Sequence, residues 1–122
     1  MKLSELAEGY KQLVEQGKSI EVIERYYGDD MIQVENNTTP VKGKQQLLEL
    51  EKTNISRVYN FSILITSIII DEELKKVMGE MTVRFHSKKN GRKIMHEAFV
   101  QHWHNDRIQY QRFYYGAIEN EE

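Results

Sequence analysis

From Leu3 onward, apolar residues return every three or four positions: Leu3, Leu6, Ala7, Tyr10, Leu13 and Val14. Glu5, Glu8, Lys11, Gln12 and Glu15 occupy the opposite face. This spacing predicts an amphipathic helix with its stop at Gly17. Ser19 is placed to cap a second, short helix burying Ile20, Ile23, Tyr26 and Tyr27 and ended by Gly28. Residues 31–36 read as a short strand. Residues 36–40 combine the only proline of the chain with Asn and Thr, a loop composition, and Gly43 opens a third helix that carries Leu47, Leu48 and Leu50.

At residue 59 the period falls from 3.6 to 2, which predicts four long strands over 59–70, 76–86, 93–104 and 107–115. Asp71-Glu72-Glu73, the Asn90-Gly91 pair and Asn105-Asp106 are turn signals that join them as successive hairpins, an antiparallel meander. Helices followed by strands place the chain in the α+β class, with one helical layer on one face of a sheet. In the strand at 59–70, alternation assigns Ile63, Ile65 and Ile69 to one face and Leu64, Ile68 and Ile70 to the other. A single helical layer covers only one face, so the expected cover for the outer one is a second copy of the chain, giving a homodimer. Residues 1–116 form one domain, and 117–122 a short acidic tail expected to fray.

The composition narrows the classes of partner. The 122 residues carry 17 Lys and Arg against 19 Asp and Glu, without a basic stripe, so nucleic acid is not an expected partner. No cysteine is present, which removes disulfides, catalytic thiols and thiolate metal sites. The longest apolar run, 63–70, is broken by Thr66 and Ser67 and falls far short of the ~20 residues that span a bilayer. Residues 1–16 alternate apolar and charged positions where a secretory leader would be continuously apolar, and a cytoplasmic location is the expectation. His96, His102 and His104 share the outer strand face, but a His-x-His pair with no nearby carboxylate does not define a metal site. No phosphate-cradling glycine loop or G-x-S-x-G turn is present, and no cofactor is expected.

Two segments carry a resemblance. Tyr26-Tyr27-Gly28-Asp29-Asp30-Met31-Ile32-Gln33-Val34-Glu35-Asn36, followed by Val41-Lys42-Gly43-Lys44, resembles the opening of SnoaL-like domains. Val100-Gln101-His102-Trp103-His104-Asn105-Asp106-Arg107-Ile108, ending in Arg112-Phe113-Tyr114-Tyr115, resembles their close. These domains belong to the nuclear transport factor 2-like superfamily, with ketosteroid isomerase and the SnoaL polyketide cyclase. The resemblance implies a cystatin-like cone in which three N-terminal helices pack on a curved, mainly antiparallel sheet and enclose a largely apolar pocket, often in a dimer. It implies no single function, because the superfamily holds isomerases, cyclases, dehydratases and transport factors.

It also nominates residues. Ketosteroid isomerase sets an aspartate base beside a tyrosine and a protonated acid that together hold an oxyanion. By resemblance Tyr10 takes the tyrosine position, Glu35 that of the base and Gln101 that of the second acid. A glutamate and a neutral amide depart from the isomerase pattern and argue against steroid isomerisation. Strand alternation adds Met31 and Gln33 beside Glu35, then Glu97, Phe99 and Trp103 beside Gln101, and Gln111, Phe113 and Tyr115 on the last strand. That lining suits a small apolar or ring-containing ligand oriented by Tyr10 and Gln101.

Each nominated group keeps a second reading: Glu35 could pair with Lys42 or Lys44, and Tyr10 could be a packed aromatic with a satisfied hydroxyl. Three functions therefore stand at this point. They are small-molecule binding, cofactor-independent proton transfer with Glu35 as base, and a dimeric interaction or assembly module whose main surface is the outer sheet face, favoured if Tyr10, Phe99, Trp103 and Tyr115 themselves fill the pocket.

Overall fold

In the computed structural model, which describes residues 1–121, helix α1 (Leu3–Glu15) buries the stripe its spacing predicts, and Gly17 ends it at φ +76°. Its own N-cap, Lys2, supplies no side-chain bond. Glu72 does so from a turn between two strands, accepting from Ser4 N at 2.8 Å and Leu3 N at 3.1 Å. Those two amides hold the Glu72 carboxyl below its usual range. At the other end of α1, Glu15 Oε2 accepts from Ile65 N at 2.9 Å, so the helix is pinned at one end to the turn at residues 72–75 and at the other to the strand before that turn.

Helix α2 (Ser19–Tyr26) buries Val22, Ile23 and Tyr26, while Ile20 is only half-buried. Its N-cap is Lys18 rather than Ser19, which is the first helical residue and turns its hydroxyl to Glu51. Gly28 does not end the helix. It lies inside strand β1 (Tyr27–Glu35), where a Cβ would meet Gln109 Oε1 at 2.6 Å, and Tyr27 belongs to the strand rather than the helix. A two-residue strand, β2 (Val41–Lys42), pairs antiparallel with β1. Gly43, at φ +94°, then leads into α3 (Lys44–Ile55), of whose leucines only Leu47 is fully buried.

Strands β3 (Val58–Asp71), β4 (Lys76–Ser87), β5 (Gly91–His104) and β6 (Arg107–Tyr115) form the expected meander. The sheet order is β2-β1-β6-β5-β4-β3, and β1 joins β6 in parallel, with Gln33 opposite Gln111 and Glu35 opposite Phe113. The sheet is thus mainly antiparallel with one parallel seam, and the three helices lie over its inner face. The terminal segment does not fray over its described length. Strand β7 (Glu119–Asn120) pairs with β5, and Arg84 Nε donates to Glu121 Oε2 at 2.8 Å; Glu122 lies outside the described residues.

A bulge corrects the reading of β3. The register shifts between Ile65 and Ser67, so inward positions run Phe61, Ile63, Ile65, Ile68 and Ile70. Ile68 and Ile70 therefore join the core instead of facing outward, and Ile69 moves to the outer face. The outer face is left with less apolar surface than strict alternation requires. Its largest exposed apolar groups on β3 and β4 are Tyr59 (50%), Leu64 (54%), Ile69 (68%) and Met78 (49%).

Candidate functional site

A cavity of about 590 Å³ lies between the helices and one end of the inner sheet face. Phe61 and Ile63 of β3, Met81, Val83 and Phe85 of β4, and Met95 of β5 form its apolar sheet wall. Val14, Val22, Ile23 and Leu47 form the helical wall. The volume falls within the ~300–1,000 Å³ typical of small-molecule sites.

The polar lining includes Tyr10, Ser19, Tyr27, Gln33, Asn54 and Tyr115 besides a set of ionised or ionisable groups. Glu35, Glu51 and Glu97 line the cavity, and Arg57 is the one cationic side chain among its described lining residues. Burial pushes the Glu97 carboxyl up to about 7, and the nearby Glu35 charge adds to the rise. Burial also raises Glu35, a rise opposed by the Tyr115 hydroxyl and increased by Glu51. Glu51 is raised by burial and partly relieved by Ser19. Tyr115, directly opposite Glu97 across the β5–β6 ladder, is raised to about 12 by burial and then by the Glu35 charge. Removal of water thus disfavours the ionised forms, and each carboxylate adds to the difficulty of ionising the next.

Next to the cavity, a buried chain of hydrogen bonds crosses the sheet. Trp103 Nε1 donates to Gln101 Oε1 at 3.0 Å, and Gln101 Nε2 donates to Gln111 Oε1 at 2.6 Å. Gln111 Nε2 donates to the Tyr27 hydroxyl at 2.8 Å and to Gln33 Oε1 at 3.2 Å, and Tyr27 donates to the same Gln33 oxygen at 2.9 Å. The Tyr10 hydroxyl points toward Gln111 Oε1 at 3.4 Å, longer than an ordinary O–H···O bond. Burial raises the pKa of both tyrosines, Tyr10 and Tyr27, so both stay protonated.

The nominated residues divide between cavity and core. Tyr10, Gln33, Glu35, Glu97, Phe113 and Tyr115 line the cavity. Met31, Phe99, Gln101, Trp103 and Gln111 share the inner face but are buried at the closed end, outside the cavity lining. There Tyr26 stands edge-on to both Tyr10 and Trp103, with ring centroids 6.1 and 5.9 Å apart, and Phe99 tilts against Tyr10. Gln101 thus reaches the cavity only through Tyr10 and Gln111. The aromatic side chains close one end and leave the other open, so they do not fill the pocket. Neither Lys42 nor Lys44 pairs with Glu35; Lys44 Nζ donates instead to Glu24 O at 2.7 Å.

Tyr27, Glu51 and Arg57 are among the lining groups that escaped the sequence reading. Tyr27 was assigned to the helix, and Arg57 sits in the turn before β3. Glu51 had a usable signal, since it lies four residues after the buried Leu47 and so on the same face of α3.

Comparison of the folded chain with solved structures places this architecture. A protein from Mesorhizobium loti described as a SnoaL-like polyketide cyclase is similar with a TM-score of 0.80 at 22% identity, over 94% of this chain and 100% of that one. An NTF2-like protein of unknown function from Burkholderia pseudomallei gives 0.79 at 7% identity, over 93% and 90%. A ketosteroid isomerase-like fold from Catenulispora acidiphila, in complex with trimethylamine, gives 0.76 at 14% identity, over 92% and 85%. No family profile matches the chain, and no curated protein matches it by sequence. The chain therefore has the nuclear transport factor 2-like fold, in the form seen in SnoaL-like and ketosteroid isomerase-like proteins.

Proposed function

We propose that the protein binds a small, mainly apolar organic molecule in the cavity between its helices and sheet. The observation that carries this reading is the cavity itself: mainly apolar walls from both the helices and the sheet, with polar groups interspersed among them. Trimethylamine in the Catenulispora structure is a small organic molecule of the general kind, bound by a protein of the same fold. Native mass spectrometry of the purified protein, followed by extraction, tests the reading. One retained organic molecule per subunit supports it. Failure of a panel of apolar ring compounds to bind the ligand-free protein at millimolar concentration counts against it.

A second reading has its own support in the carboxyl pair. With Glu97 at about 7 and Glu35 raised above its ordinary value by burial, the cavity holds one carboxyl able to give and take a proton at neutral pH and a second carboxyl whose charge influences it. On this reading the protein is a cofactor-independent proton-transfer enzyme, and Glu97 joins Glu35 as the acid–base pair, with Tyr10 as hydroxyl donor. Assayed on the bound compound, Glu35→Gln and Glu97→Gln should each lower turnover by roughly 10²–10⁴-fold while leaving binding within a few-fold. Turnover unchanged in both variants would remove the two carboxyls from the chemistry, and absence of turnover in the wild type would leave binding as the function.

The outer sheet face supports a third element of the reading, self-association. Ile69, Met78 and Val100 lie in one line across β3, β4 and β5, and Ile69 and Met78 are exposed in the single chain.

A further inference from the structure

The polarity of the buried hydrogen-bond chain is not free to vary. An indole N–H can only donate, so the Gln101 atom 3.0 Å from Trp103 Nε1 must be the amide oxygen. The other end of the Gln101 amide is then nitrogen, and the Gln111 atom 2.6 Å away must be oxygen. Gln111 in turn directs its nitrogen at Tyr27 and Gln33, so the Gln33 atom 3.2 Å away must be oxygen. That oxygen also takes the Tyr27 proton at 2.9 Å and has both lone pairs in use. Reversing any one amide would set N–H against N–H at a buried site, where an unmade bond costs roughly 1–3 kcal/mol.

The chain ends at the cavity. Gln33 lines it, its oxygen is turned inward, and its Nε2 has no partner among the described residues. Among those residues no buried side-chain nitrogen or oxygen lacks a bond, so this NH₂ group lies where a ligand or solvent can reach it. Taking the cavity as a ligand site, we infer that it selects a ligand bearing a hydrogen-bond acceptor oxygen, held by Gln33 Nε2, and that Trp103 acts as a positioning residue that sets this preference through Gln101 and Gln111. A hydrocarbon of the same shape would leave the Gln33 donor unpaired as it entered.

Two probes of nearly equal shape test the inference on the intact protein at pH 8, with binding followed by ligand-observed NMR. Benzophenone carries a carbonyl oxygen where 1,1-diphenylethylene carries a CH₂ group. The wild type should bind benzophenone about five- to tenfold more tightly. Gln33→Glu keeps an oxygen for Tyr27 and Gln111 but presents a carboxylate oxygen to the cavity. It should abolish or reverse the preference while diphenylethylene binds as before; Gln33→Leu should abolish it without reversal. Trp103→Phe should narrow the ratio although Gln33 is intact, an effect that a loss of packing alone would not produce because it would weaken both probes equally. Equal binding of the probes by the wild type, or a preference that survives both Gln33 variants, would overturn the inference. If the wild type binds neither probe, the cavity reading falls and this inference with it.

Discussion

Glu97 is a carboxyl group on a strand with a sheet wall on one side and an apolar cavity on the other, and its proton affinity follows from that position. A folded-state value of about 7 against an ordinary 4.5 means that the native chain holds a proton which the unfolded chain has released. Between those values stability must fall as pH rises, and the loss is complete only above 7. The corresponding penalty is at most roughly 3 kcal/mol, and solvent reaching the open side of the cavity reduces it. Glu97→Gln should therefore be nearly neutral at pH 4.5 and stabilising by about 1–3 kcal/mol at pH 8, as read from urea denaturation at the two pH values. A variant equally neutral at both would show that Glu97 ionises freely in the folded chain.

At this scale, strand alternation made part of the cavity lining legible, because it assigns Gln33, Glu35, Glu97, Phe113 and Tyr115 to the inner face. Alternation says nothing about depth along the strand. Phe99, Gln101 and Trp103 share the face of Glu97, yet they fall where α1 and α2 close down on the sheet.

The elements that were easiest to read are β3 to β6, whose period of two and turn residues give lengths and neighbours together. Two features escaped for physical reasons. The parallel pairing of β1 with β6 joins segments far apart in the chain, and periodicity identifies a face but not a partner. The bulge in β3 leaves no signature in composition, since an apolar run reads the same in either phase. Gly79 offers an indirect trace of it. A Cβ there would lie 2.5 Å from the Ser67 carbonyl oxygen and 2.7 Å from the Phe99 ring, so the bulged backbone and an aromatic side chain both occupy the space beside this glycine. Gly79→Ala should cost about 1–3 kcal/mol in thermal or denaturant unfolding, because a main-chain carbonyl cannot yield as a side-chain tip can. By contrast Gly116, with nothing within 4 Å of an added Cβ, should accept alanine with little change.

Across the whole molecule, helices cover only the inner face of the sheet, and no helix among the described residues is long and apolar enough to cross a membrane. The exposed Ile69 and Met78 are directly paired neighbours on the uncovered face, with Val100 next in line. Light scattering coupled to size-exclusion chromatography at micromolar concentration should give a dimer, and Ile69→Lys should shift it toward monomer without altering the cavity. A wild-type monomer under these conditions would set self-association aside.

The parallel seam bears on when the protein becomes able to act. Tyr27 and Gln111, hydrogen-bonded beside the cavity, are 84 positions apart, so the site cannot exist until a very long loop has closed. During synthesis the helices and β1 must wait for the last long strand to leave the ribosome before the seam that joins β1 to the rest of the sheet can form. A molecule that fits the finished cavity has nothing to hold on a partly made chain. It therefore binds only after this closure, adding RT ln(1 + [L]/Kd) to native stability and slowing reopening of the seam.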